Sequence, residues 1–277
     1  MDEEAAWVDA RTLFQALRDH EGADVYAAVV QPWLARAQSA YREELSRGVE
    51  LLAATAVDGP DERCGDLLWE LYALSRVSDV LLTGFQPPGE DVGVWPAVSR
   101  AEYLRLFTGL GLTPFEEVGV FDPFLHEIVE VEQTEDPDEP VRITEVVWPG
   151  LWFGSLLFGR AGVRVRAGAR HAERGVADRS PLYWTYLRRH RPTVDLSQGW
   201  GHNSQWRTDF RVDLRTAAGD EVNACGRESI DAEDWQAPAL SPGERRELLR
   251  HRCLVRTPAD ASALTGSAEF FPFDWHG

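Results

Sequence analysis

The 277-residue sequence contains no lysine; all 28 of its basic side chains are arginine. That absence removes whole classes of chemistry. No Schiff base can form on a side-chain amine, and no phosphate-binding loop ending in lysine can be built. Arginine-biased coding and protection from lysine-directed modification would each produce such a composition. Cysteine is scarce. Cys64, Cys225 and Cys253 lie far apart, without the paired spacing of a zinc site or a redox couple, and read as reduced, core-type thiols of a cytoplasmic protein. No apolar run approaches the roughly 18 residues of a spanning helix. The opening MDEEAAWVDA places acids where an export signal places positive charge. Neither export nor membrane insertion is expected. Also missing are a GxSxG elbow and an HExxH pair, so motifs assign no catalytic residue, no metal ligand and no cofactor.

Acid is what the chain has in excess: 46 acidic residues give a formal net charge of -18. Residues 1–140 hold 29 acidic and 9 basic side chains, against 17 and 19 in the remainder. Such a surface repels phosphate backbones and anionic lipid, so neither nucleic acid nor a membrane is expected as a partner. With 44% hydrophobic residues the chain can still bury a substantial core.

Apolar spacing predicts helices over 5–18, over 24–55 with a kink or restart at Pro32, over 66–82, and from Ser99 onward. Ser99 and Glu102 form a capping-box pair at the last of these. These define an acidic helical region, 1–112. Valine- and isoleucine-rich runs then predict strands at 127–132, 141–148, 151–158 and 162–167, a small all-β module over 113–168. The charged, glycine-bearing stretch 169–179 reads as a linker. A mixed C-terminal domain, 180–277, follows. Ser180-Pro181 and Ser241-Pro242 open helices. Between them Trp206, Thr208, Phe210, Val212 and Leu214 alternate with Arg207, Asp209, Arg211, Asp213 and Arg215, a pattern that predicts a strand with one buried and one charged face. Residues 217–220 should turn it into a partner strand beginning at Val222. The fold class is therefore α+β.

Two clusters hold residues with chemical potential. Asp195, Ser197, His202, Asn203, Ser204, Gln205, Arg207 and Asp209 lie in DLSQGWGHNSQWRTDF. His202 could act as a general acid or base if Asp195 or Asp209 orients it, with Arg207 clamping an anion. A loop whose polar groups satisfy its own backbone fits the same residues. The second cluster is FDPFLHEIVEVEQ, 121–133. His126 and Glu127 are neighbours on a predicted strand and point to opposite faces, so they do not form a ligand pair.

Phe121-Asp122-Pro123, Leu125-His126-Glu127 and Val129 resemble the FDPxLHEAV signature of the β-head of GrpE-type nucleotide exchange factors. Ile143, Glu145, Val146, Val147, Gly150, Phe153-Gly154, Ala161, Val163 and Val165 continue the likeness without a gap. It covers residues 115–167. Pro149-Gly150-Leu151 stands where the family has Lys-Gly-Tyr, and Gly159-Arg160 where it has Arg-Pro. The resemblance implies a head that wedges open the ATPase domain of a DnaK-type chaperone. It would thereby release ADP as a chaperone cofactor, shifting a population with no catalytic group. On that reading Phe121, Asp122, His126 and Glu127 fix the head. Trp148, Leu151, Trp152 and Phe158 present an apolar contact surface to the partner protein, or else pack onto neighbouring helices. Two other readings remain open: an adaptor or immunity-like binding protein that docks its acidic helices on a basic partner, and an enzyme using the Asp195–Asp209 loop.

Overall fold

A computed structural model describes residues 9–58, 64–87, 96–116, 119–179, 183–190, 210–226, 228–230, 241–251 and 275–277. The chain is an α+β protein whose contacts divide into two units. One comprises residues 1–84, 93–113 and 193–210; the other comprises 85–92, 114–192 and 211–277.

The first unit is helical. Helix α1 (Ala10–Asp19) is capped by Asp9, whose carboxylate accepts from the Thr12 amide, and buries Leu13, Phe14 and Leu17. A π-turn at Tyr26–Val30 leads into α2 (Gln31–Asp58), with the Gln31 amide bonding back to the Tyr26 carbonyl. The restart expected at Pro32 takes this form because proline has no N–H for the preceding turn, and a widened turn absorbs the lost bond. Helix α3 (Cys64–Thr83) crosses α2 at Gly48, where a Cβ would lie 2.7 Å from Leu67. Helix α4 (Arg100–Gly109) starts with the expected capping box, Ser99 and Glu102 bonding reciprocally. One buried carboxylate ties three helices. Glu70 on α3 accepts from the Tyr41 hydroxyl of α2 and from the first amide of α1, Ala10, at 3.0 Å. Burial and the Glu70 charge push the Tyr41 phenol far above its ordinary range.

The second unit is built on two main sheets. Strands β2 (His126–Gln133), β3 (Arg142–Trp148) and β6 (Ala161–Ala167) form one, in the order β2-β6-β3, with β2 parallel and β3 antiparallel to β6. Strands β1 (Thr113–Phe115), β4 (Gly150–Phe153), β5 (Leu156–Gly159), β7 (Leu214–Thr216) and β8 (Gly219–Glu221) form the other, in the order β1-β4-β5-β7-β8. Neither closes into a barrel among the described residues. The single strand expected at 151–158 is instead the β4–β5 hairpin, because Gly154 (φ 59°) supplies the left-handed turn that reverses the chain. A minor pair joins β9 (Glu228–Ser229) to β10 (Trp275–His276).

Other expectations fail for reasons of packing. The proposed boundary between an all-β module ending at 168 and a domain starting at 180 does not hold, since β7 and β8 extend the β4–β5 sheet through Leu214 opposite Leu156. The stretch 169–179 is no spacer. Ala172, Val176 and Ala177 sit in the core with Ile128, Val131, Val163 and Val165, and α5 (Val176–Arg179) and α6 (Trp184–His190) cover that sheet. Of the charged face predicted for 206–215, Arg215 alone among the described residues reaches the surface. Only Leu214–Thr216 is strand, and Arg211 and Asp213 are buried together with Val212. The partner strand starts at Gly219 rather than Val222, because a two-residue turn suffices. Helix α7 (Pro242–His251) begins with a second reciprocal Ser241–Glu244 pair.

Candidate functional site

The segment 121–127 is a turn held by its own polar groups. The Asp122 carboxylate accepts from the Phe124 amide at 2.9 Å, and the Asp122 carbonyl accepts from the Leu125 and His126 amides. These bonds fix an Asx turn, which explains aspartate followed by proline there. His126 Nδ1 lies 3.0 Å from both the amide nitrogen and the carbonyl oxygen of Asp122, so either ring tautomer finds a partner. The Phe121 ring lies between those of His126 and His251, with centroids 5.9 and 6.2 Å away.

From this turn His126 and Glu127 diverge, as strand alternation requires. Glu127 meets Arg188 of α6 at 2.7 Å, an ion pair rather than an aligned hydrogen bond. Arg188 donates to the Gln86 side chain at 2.8 Å, Gln86 donates to the Thr185 carbonyl, and the Thr185 hydroxyl donates to the Ile128 carbonyl. The Arg188 guanidinium also lies 5.1 Å from the centre of the Trp148 ring. Trp148 is wholly buried over Gly162, where any Cβ would come within 2.1 Å of the indole, and its N–H donates to the Arg160 carbonyl.

Arg160 opens a second network. Asp213, with no exposed surface, accepts from Arg211 Nε at 2.7 Å, from the Asn223 amide at 2.9 Å and from Arg160 Nη2 at 3.2 Å. Two buried guanidiniums thus share one carboxylate. Carbonyls take further donors: Arg160 reaches those of Pro123 and Arg250, and Arg211 that of Leu249, while Arg211 Nη1 is buried without an acceptor among the described residues. The Arg250 and Leu249 carbonyls belong to the C-terminal turn of α7, whose partial negative charge offsets the surplus cation. Burial pushes Arg211 below the ordinary guanidinium range, with Asp213 opposing. Burial, reinforced by Arg160 and Arg250, drives the His251 imidazole down to about 3, so His251 is neutral at neutral pH.

Glu127, Arg160, Thr185 and His251 line a narrow cleft that admits about one water molecule. Among the described residues no group of three histidine, cysteine, aspartate or glutamate side chains converges as a metal site, and no helix is long and apolar enough to cross a membrane.

The aromatic contact surface is corrected. Trp148, Leu151 and Phe158 are buried in their own unit, and Trp152 is half-buried against Phe115 and Phe124. In this fold they are core, because Trp148 at the end of β3 packs over Gly162 and the β4–β5 hairpin turns Leu151 and Phe158 inward. The first cluster, Asp195 to Asp209 with Ser197, His202, Asn203, Ser204, Gln205 and Arg207, lies outside the described residues. The sequence did not mark Arg160, Arg188, Asp213 or His251 as site residues; Asp213 was expected on an exposed charged face. The one local signal was arginine at 160, where the resembled family has proline.

What the β2-β6-β3 sheet does expose is charge. Arg164 bridges Glu130 at 2.9 Å and Glu145 at 2.5 Å, and Arg166 lies between Glu132 at 3.9 Å and Glu139 at 3.7 Å. Neighbouring glutamates hold Arg164 above its ordinary range. The chain matches no protein-family model, no curated protein and no solved structure in the three comparisons made.

Proposed function

We infer that this chain is a GrpE-like protein-binding factor that acts by shape, and that its partner is the ATPase domain of a DnaK-type chaperone. The observation that supports this reading is the ordered course of residues 121–167. The FDPxLHE-like stretch forms a self-bonded turn, and the segments that follow form strands whose sheet exposes a row of alternating charge. With Trp148, Leu151 and Phe158 in the core, contact is made by the face carrying Glu130, Glu132, Glu145, Arg164 and Arg166. A contact of that kind is steered by electrostatics and weakens as salt rises over the range in which the Debye length falls from about 30 to about 10 Å. Preference for the open, nucleotide-poor state of the partner would be enough to release nucleotide, without a catalytic side chain.

Calorimetric titration of the full chain into a nucleotide-free DnaK-type ATPase domain tests this directly. Saturable binding that weakens with salt, and weakens again in Arg164→Glu, is expected. Absence of heat and of complex at low salt would remove the reading.

A further inference from the structure

We propose that strand β3 is a self-association edge, along which two copies of this chain pair antiparallel through Arg142 and Glu145. β3 closes one side of its three-stranded sheet, and its outer edge bonds to no described residue. The segment is rich in β-branched residues, with Ile143, Thr144, Val146 and Val147 in sequence around Glu145, and Ile143, Val146 and Val147 are only half-buried. Such an edge leaves a row of amides and carbonyls open to another strand.

Charge selects the second copy. Arg142 is exposed, makes no ion pair among the described residues, and stands in register with another arginine, Arg166. Glu145 stands in register with Arg164, on the same face of the sheet as Arg142, because an extra residue separates the two positions on β3. A two-fold axis beside Ile143 and Thr144 sets Arg142 of each copy opposite Glu145 of the other, an isologous contact that satisfies the unpaired arginine twice. Both strands carry the same extra residue between those positions, so they keep step. Pairing with Glu145 opposite itself, or with the strands parallel, sets like charges against each other and is disfavoured. Seven residues of edge are a small contact, so the dimer is a weak, reversible one.

Sedimentation equilibrium of the full chain over a wide concentration range, together with hydrogen exchange of the β3 amides, tests the proposal. The expected result is a monomer–dimer equilibrium in which the Thr144 to Val147 amides exchange more slowly as concentration rises. In Arg142→Glu dimerisation should be weaker by roughly tenfold or more. The Arg142 side chain is exposed and bonds to no described residue, so this variant should keep the native circular dichroism. A chain that stays monomeric at its highest concentration would overturn the proposal. So would a dimer that leaves β3 unprotected, or one that Arg142→Glu leaves equally tight.

Discussion

Replacing Asp213 by asparagine keeps the side chain's size and one acceptor oxygen but removes the carboxylate that bonds two buried guanidiniums. Breaking a buried ion pair from one side costs about 3–5 kcal/mol, chiefly because the abandoned charge stays buried. Here two charges are abandoned, and the C-terminal carbonyls of α7 compensate only part. A loss of about 4 kcal/mol is therefore expected, against the ~5–15 kcal/mol that keeps a domain folded. With a urea slope of about 2 kcal/mol/M, the midpoint should fall by about 2 M. The chain has two units, so the transition should be followed by hydrogen exchange at Val163, Val165 and Leu157 rather than by a global signal. Arg211→Met is the control. It leaves Arg160 and Asp213 as a one-to-one pair and removes Arg211 Nη1, a buried donor without a hydrogen-bond acceptor, so it should cost clearly less than Asp213→Asn. A variant Asp213→Asn within about 0.5 kcal/mol of the parent, or one less damaging than Arg211→Met, would refute the reasoning.

Gly162→Ala places a methyl 2.1 Å from the Trp148 indole, and overpacking of about 1–3 kcal/mol or more should lower the melting temperature measurably. His251 has its folded value lowered from 6.5 to about 3. Its contribution is therefore complete above pH 6.5 and is lost as pH falls toward 3, roughly 2 kcal/mol of it by pH 5. In His251→Asn the difference in urea midpoint between pH 7 and pH 5 should shrink by about 1 M; an unchanged difference would count against a neutral buried imidazole. Ser99→Ala and Ser241→Ala each remove one capping box and should cost about 1 kcal/mol apiece, in different units, so that in the double variant hydrogen exchange reads the same loss in each unit as in the single variants.

The local grammar of the chain was readable in advance, and its long-range partnerships were not. Ser99 with Glu102 and Ser241 with Glu244 announced their helices because a capping box is complete within four residues. The strands near 127–132, 141–148 and 162–167 followed from β-branched runs bounded by turns. The alternation of Arg211 and Asp213 with Val212 and Leu214 misled for a physical reason. A period of two separates the faces of a strand without saying that the charged one meets water, and here Arg211 and Asp213 pair with each other, and Asp213 with Arg160, in the interior. Charge and glycine in 169–179 likewise masked three small apolar residues, Ala172, Val176 and Ala177, that fill the core beneath β2 and β6. Trp148 pairs with Gly162, and Glu127 with Arg188, across gaps that no local spacing marks.

The central functional reading is that residues 121–167 form a head that loosens nucleotide in a partner's ATPase domain. Its most direct test is the rate at which labelled ADP leaves a DnaK-type chaperone, measured by stopped flow with and without the full chain. The account predicts faster release that saturates with the chain's concentration and is lost in Arg164→Glu; a release rate that the chain leaves unchanged at every concentration would contradict it.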